Sequence, residues 1–128
     1  DIPPVSQKVT DQLLDIIQSQ LLPGLTAKDF NSFTNAVESY GHLAGSCFEA
    51  IQGGPYNGRT LNQRVAWLKK QGARGVGQSS WGPTLFCFFD SKDAAKEFKR
   101  NLGTDGSGQK LIVEIVKPDN QGAVVSYS

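Results

Sequence analysis

The segment from residue 75 to residue 90 constrains the fold most, because a glycine-rich stretch there gives way to a short apolar run. The run from Leu85 to Phe89 lies between turn residues, a pattern typical of a β-strand buried on both faces. Residues 73–77 form a second short apolar segment just before the glycine-rich loop. The two segments are therefore predicted to pair as a hairpin, with the loop between them.

The loop carries a high density of groups that bind ligands. Glycines lack Cβ and tolerate positive φ, which lets a backbone approach a ligand closely, and successive N–H groups can hold an anion. Hydroxyl and amide side chains add further donors. The residues predicted to bind substrate or phosphate are Gly75, Gly77, Gln78, Ser79, Ser80, Trp81, Gly82 and Thr84. A plain turn is the alternative interpretation, and Trp81 either fills the core or forms a pocket wall.

Helical spacing dominates the chain before this loop. Apolar residues at steps of three and four predict one long helix, with its stripe at Phe30, Phe33, Val37, Tyr40, Ala44, Phe48 and Ile51. An earlier helix is expected to end at Pro23-Gly24, after which Thr26 to Asp29 resembles a capping box. Gly41 and Gly45 share a face of the long helix, which predicts a close approach there by another backbone or a ligand.

The remaining elements complete an α+β pattern. A third helix is expected from Thr60 to Gly72, a fourth begins at Asp90-Ser91, and two further strands are expected at 110–117 and 123–127. The order helix, helix, helix, strand, strand, helix, strand, strand predicts an antiparallel sheet of about four strands with helices packed on one face. All 128 residues are assigned to one domain.

Composition excludes several classes of function. A net charge of +1 gives no electrostatic basis for binding nucleic acid or an anionic membrane. No apolar run approaches the roughly 20 residues that span a bilayer. Cys47 and Cys87 lie within apolar patterns, which predicts buried free thiols and no disulfide. Free thiols are typical of a reducing compartment, so a cytoplasmic location is expected. The spacing of His42 and the two cysteines predicts no metal site.

Two residues outside the loop are candidate substrate contacts. His42 lies on the long helix, where a solvated histidine is the alternative, and Arg74 precedes the loop, where a surface arginine is the alternative. No nucleophilic triad and no Walker-type phosphate loop can be recognised, so the catalytic residues stay unassigned.

The loop resembles a motif of the GHMP small-molecule kinases, in which a Ser-Gly-Ser-Gly-Pro-Thr-like turn enters a strand of the C-terminal domain. Here the turn runs from Ser79 to Thr84, and the pattern upstream, with Leu21-Leu22-Pro23, Asp29-Phe30 and Gly41-His42, also agrees. Ser80 and Trp81 replace the usual Gly and Ser. This version is most similar to the β-ribofuranosylaminobenzene 5′-phosphate synthases of the same superfamily, which join phosphoribosyl pyrophosphate to 4-aminobenzoate or 4-hydroxybenzoate in tetrahydromethanopterin biosynthesis and release CO2 and pyrophosphate.

The resemblance implies a ferredoxin-like C-terminal domain that is inactive alone. Its expected partners are a phosphorylated small molecule and the N-terminal, phosphate-binding domain of its own chain, with a homodimer as a further expectation. The chain begins at Asp1 without methionine, which agrees with a piece of a longer protein. Mg²⁺ is the expected cofactor. ATP is expected only under the first alternative, a GHMP small-molecule kinase; the second alternative is a ferredoxin-like binding or dimerisation module without catalysis.

Overall fold

Two short antiparallel strands and six helices make up the computed structural model, which describes residues 3–103, 108 and 110–127. The strands are β1 (Arg74–Gln78) and β2 (Leu85–Phe88). The helices are α1 (Gln7–Asp15), α2 (Leu22–Thr26), α3 (Phe30–Ser46), α4 (Glu49–Gln52), α5 (Gly58–Lys70) and α6 (Lys92–Asn101). The predicted α+β class is confirmed.

The first helical region continues past the proline that was expected to end it. A π-helical turn at Ile16–Leu21 joins α1 to α2, and the N–H of Leu22 bonds five residues back to the carbonyl of Ile17. Pro23 then falls in the first turn of α2. N–H groups of a first turn have no partner within the helix, so the missing N–H of proline costs no hydrogen bond there. The prediction of an end at Pro23-Gly24 was therefore wrong, because the wider turn accommodates the proline.

The start and end of α3 also differ from the prediction. Asp29 caps the helix itself, since its carboxylate accepts hydrogen bonds from the backbone N–H and the hydroxyl of Ser32. The capping box starting at Thr26 does not form. The predicted single helix is interrupted after Ser46, and the separate turn α4 ends at Gly53 in the left-handed conformation (φ 76°).

The later helices match their predicted faces. Helix α5 begins two residues before Thr60, buries Leu61 and Val65, and is followed by Gly72 with a φ of 97°. Ser91 caps α6 by accepting a hydrogen bond from the N–H of Ala94. Both helices thus form where the pattern placed them.

The hairpin of β1 and β2 is confirmed, and it divides the helices between its two faces. Gly77 pairs with Phe86 and Gln78 with Leu85. On one face, Val76, Leu85 and Cys87 pack in the core with side chains of α5 and α6. This core contains Tyr56, Leu61, Val65, Ala73 and Val76, with Leu68, Leu85, Cys87 and Phe98 packed against it.

The other face of the hairpin lies against α3. Phe88 contacts Phe33 edge-on, with ring centroids 5.2 Å apart, and Gly75 lies against Thr34. Helices therefore cover both faces, where the sequence predicted one, because the glycines of β1 leave room for α3. Phe86, on this second face, is 40 % exposed, so β2 is not buried on both sides as predicted.

The two strands predicted near the C-terminus are not formed in the described residues. Residues 111–119 and 122–127 take no regular secondary structure, and Lys110 makes an isolated bridge. Ile112 and Val124 are 95 % and 91 % exposed. A β-branched pattern forms a strand only where a neighbouring strand accepts its backbone hydrogen bonds and a layer covers its apolar face, and this segment has neither.

Candidate functional site

The loop between the strands, residues 79–84, is ordered by its own backbone. The N–H of Ser79 donates to the carbonyl of Thr84, and the N–H of Gly82 donates to the carbonyl of Ser79, both at 2.9 Å. Ser80 adopts a φ of 52°, a conformation in which a non-glycine residue is uncommon. The loop therefore has a defined turn at Ser79 to Gly82.

A second loop holds this turn from outside. The backbone N–H of Asn57 donates to the side-chain oxygen of Gln78 at 2.6 Å, and the Asn57 side chain donates to the carbonyl of Trp81, also at 2.6 Å. The Gln78 amide nitrogen donates to the carbonyl of Ser80 at 2.7 Å. Both ends of the Gln78 amide are thus used within the protein, so Gln78 orients the loop rather than presenting a free donor.

The donors left free by this arrangement face outward. Ser79, Ser80 and Thr84 are exposed, and their hydroxyls have no hydrogen-bond partner in the described part of the chain. The backbone N–H groups of Ser80 and Trp81 likewise have none among these residues. Because the turn is ordered by other bonds, the two N–H groups are held in place before any ligand arrives, and the three hydroxyls extend from this ordered backbone.

Trp81 lies at the surface beside this turn. Its side chain is 45 % exposed, and its ring meets that of Phe48 in an edge-to-face contact with centroids 5.3 Å apart. The interpretation in which Trp81 fills the core is therefore wrong, and its role as a pocket wall stays a prediction. An indole fixed on one side and open on the other can stack against a planar ligand.

One known protein family matches the part of the chain that contains these residues. The stretch 21–108, more than half of the chain, matches the family described as GHMP kinases C terminal. This chain belongs to that family. Among curated proteins and solved structures, no match was found. The matched stretch includes the hairpin, its loop and the helices α3 to α6, so the superfamily expected from the residues is confirmed.

Two glycines of this GHMP domain that were predicted to approach a ligand instead face the domain's own side chains. A Cβ at Gly75 would come 2.7 Å from Phe88, and one at Gly77 would come 2.4 Å from the ring of Phe86. Gly82, with a φ of 72°, lies in the same way against Leu61. These contacts explain all three glycines by internal packing, and the free donors lie at Ser79, Ser80, Trp81 and Thr84.

The two candidates outside the loop are not gathered with it. His42 is exposed on α3, and its imidazole has no partner among the described residues. Arg74 is exposed at the opposite end of β1, where its guanidinium donates to the side chain of Asn31. Since a strand rises about 3.3 Å per residue, Arg74 and Gln78 lie about 13 Å apart along β1.

A polar cluster that the sequence did not reveal ties the GHMP domain's elements together. The Glu38 carboxylate accepts a hydrogen bond from the buried N–H of Val76 at 3.3 Å and forms an ion pair with Lys69. Nearby, burial raises the pKa of the Tyr56 hydroxyl; Glu38 raises it further and Lys69 opposes the change. Tyr56 therefore stays neutral in the core.

The described residues contain neither a metal-binding cluster nor a membrane-spanning helix. In that part of the chain, no group of three or more His, Cys, Asp or Glu side chains lies close enough to hold a metal ion. The helices described there are also too short or too polar for any to span a bilayer. Cys47 and Cys87 are both free thiols.

Proposed function

We propose that this GHMP domain provides one wall of a small-molecule site in a cytoplasmic transferase, and that the domain alone is inactive. The observation that carries the proposal is the ordered turn at residues 79–82 with its free donors. Hydroxyl and N–H groups fixed before binding stabilise phosphate charge without a reorganisation cost. The N-terminal domain expected in such enzymes would supply the opposite wall, since ligand sites commonly lie between domains.

The reaction we propose is that of the β-ribofuranosylaminobenzene 5′-phosphate synthases. The residues from Gly75 to Thr84, including Ser80 and Trp81, support this assignment by resemblance. The exposed Trp81 ring supports it physically, because an aromatic acid can stack on an indole whose other side is held by Phe48. In this proposal the loop donors orient the phosphorylated sugar, and Trp81 selects an aromatic acceptor.

An ATP-dependent GHMP small-molecule kinase is the second candidate. The observation that favours it is the family itself, whose description refers to kinases. The same donors would then face a phosphate of ATP or of a phosphorylated substrate. Trp81 would have no planar acceptor to contact, which is the physical difference between the two candidates.

Mg²⁺ does not fit the loop itself. Protein sites for this ion use carboxylates together with water and substrate phosphate oxygens, and residues 75–84 contain no carboxylate. We therefore derive no step through Mg²⁺. If the full-length enzyme requires the ion, its protein ligands come from another part of the chain.

The test uses the full-length protein with two sets of substrates. One set is phosphoribosyl pyrophosphate, Mg²⁺ and 4-aminobenzoate or 4-hydroxybenzoate, with CO2 and pyrophosphate followed; the other is ATP with a panel of sugars and alcohols, with ADP followed. Pyrophosphate release coupled to decarboxylation supports the synthase. ADP formation overturns it in favour of the kinase, and turnover of neither set favours the non-catalytic module.

Variants of the loop then test the role of each group. Trp81→Ala is expected to raise the KM of the aromatic acid by about tenfold, the scale of one lost stacking contact, while Trp81→Phe retains most affinity. Ser80→Gly removes a hydroxyl and suits the positive φ, so it is expected to weaken phosphate binding without loss of stability. Ile51→Ala, at another exposed apolar residue, is the control. Unchanged kinetics in Trp81→Ala would contradict the assigned role.

A further inference from the structure

A cavity of about 400 Å³ opens at the end of the hairpin opposite the loop. It lies between the turn that joins α2 to α3 and the residues that flank β1 and β2, with Lys28, Asp29, Arg74, Phe88, Phe89 and Asp90 among its lining. Its volume falls in the range of small-molecule sites. The proposed transferase does not use this cavity, so its lining needs a separate explanation.

The cavity lining carries charged groups of both signs, and most of these groups have donors or acceptors without a partner in the described part of the chain. Lys28 and Asp90 have no ion pair or side-chain hydrogen bond within the described part of the chain. Arg74 uses one guanidinium nitrogen on Asn31, which leaves its other N–H donors free. Asp29 differs, because its carboxylate is occupied in capping α3 through Ser32, which also lowers its pKa. The cavity thus offers two free cationic groups and one free carboxylate.

The two phenylalanines in the cavity lining, Phe88 and Phe89, each pack against a ring on a neighbouring helix. Phe88 contacts Phe33 edge-on at 5.2 Å, and the ring of Phe89 lies 4.9 Å from that of Phe98. Each ring is therefore fixed by a helix on its far side. Both residues line the cavity, so an apolar group of a ligand can contact an ordered aromatic residue beside the charges.

Lys28 occupies a backbone position that does not suit it. Its φ is 55°, and the neighbouring N–H of Asp29 bonds back to the carbonyl of Gly24, as at the end of a helix where glycine is the preferred residue. Folding alone therefore favours glycine at this position. The presence of Lys28 at this position, with its ammonium unpaired at a cavity, is accounted for if the side chain binds a ligand.

We propose that this cavity binds a small zwitterion with an apolar side group, the chemical class of the free α-amino acids. The ligand carboxylate lies against Lys28 and Arg74, its ammonium group lies against Asp90, and its side group contacts Phe88 and Phe89. Free groups of both charges in one lining distinguish a zwitterion from a simple anion or cation. The site is independent of the proposed transferase function.

Isothermal titration of the full-length protein tests the proposal with four probes. L-Phenylalanine and L-leucine carry both charges, while 3-phenylpropanoate and 2-phenylethylamine each carry one. We expect the two amino acids to bind at least about tenfold more tightly than the single-charge analogues, as each lost charged hydrogen bond costs on that scale. Equal binding of all four, or no binding of either amino acid, overturns the proposal.

Variants separate a ligand site from a structural one. Arg74→Gln and Asp90→Asn are each expected to weaken amino-acid binding by about tenfold. Lys28→Gly is the sharpest variant, because it should weaken binding while the thermal midpoint stays equal or rises. Lys96→Gln, on the exposed face of α6, is the matched control. Wild-type affinity in both Lys28→Gly and Asp90→Asn overturns the proposal, and Ser80→Gly should leave this binding unchanged even if the transferase proposal fails.

Discussion

Gly45 on α3 lies directly against Pro55, so that a Cβ at position 45 would come 1.9 Å from the Pro55 carbonyl oxygen. The buried Gln52 side chain fixes the same junction by donating a hydrogen bond to the carbonyl of Gly45 at 2.8 Å. The close approach predicted for the glycine face of the long helix is thus present at Gly45. It brings the 53–57 loop, which carries Asn57, against α3.

Gly45→Ala should destabilise the fold, because the Pro55 backbone has to move away from the added methyl group. We expect a loss of about 1–3 kcal/mol or more in the free energy of unfolding, measured by urea denaturation. Gly41→Ala is the matched control, since nothing lies within 4 Å of a Cβ at that position. It should stabilise the helix by about 0.5–1 kcal/mol. Equal effects of the two substitutions would contradict the packing explanation.

Asn57→Ala should loosen the loop at residues 79–84 with little effect on the core. It removes the side-chain bond to the carbonyl of Trp81 but keeps the backbone bond to Gln78, so a loss of about 1 kcal/mol is expected. The informative readout is hydrogen exchange at the Gly82 amide, which should become faster. Exchange at the Ala73 amide, bonded to Leu68, serves as the internal control. Unchanged exchange at Gly82 would show that Asn57 does not hold the loop.

Replacing Glu38 should lower the free energy of unfolding more than replacing its ion-pair partner, Lys69. Glu38→Ala leaves the buried N–H of Val76 without an acceptor, which costs about 1–3 kcal/mol. Lys69 is half exposed, so Lys69→Ala should cost about 1 kcal/mol or less. Glu38→Gln keeps an acceptor and should fall between the two. Chemical denaturation of the three variants checks this order, and a larger effect at Lys69 would show that the ion pair dominates.

The Cys87 thiol should react slowly with iodoacetamide in the folded protein. Burial raises its pKa above the ordinary value of 9.0, and alkylation requires the thiolate. A raised folded-state pKa means that the contribution to stability is complete below the unfolded pKa and is lost as the pH rises through the folded value. In a Cys47→Ser background, stability relative to the Cys47→Ser/Cys87→Ala variant should therefore be constant to about pH 8 and fall above it. A rise with pH would contradict this.

Local patterns were sufficient to predict the hairpin and most helices. Leu61 and Val65 follow the period of α5, and Ser91 is a recognisable N-cap of α6, because both signals depend only on residues close in sequence. The helix end predicted at Pro23 was wrong because it does not depend on nearby residue types alone. Whether a proline ends a helix depends on the hydrogen bonding of the preceding turn, which composition does not specify.

Long-range contacts account for what the sequence did not predict in the candidate site. Gln78 looked like a free amide, and only the fold brings Asn57 to it across 21 positions. The same applies to Glu38 and Val76, which lie 38 positions apart. Ser79, Ser80, Trp81 and Thr84 lie in the predicted loop and are exposed, which excludes the core alternative left open for Trp81. The proposed functions of these four residues, like those of His42 and Arg74, stay predictions.

The π-helical turn at Ile16–Leu21 has a consequence for chain length. Because each of its hydrogen bonds spans five residues instead of four, this turn holds one residue more than an α-helix with the same flanks. Deleting a single residue between 17 and 20 would remove this wide turn and place Pro23 inside a continuous α-helix, where its ring and its missing N–H disrupt the helix. The extra residue is therefore expected to be what allows the chain to remain helical on both sides of Pro23.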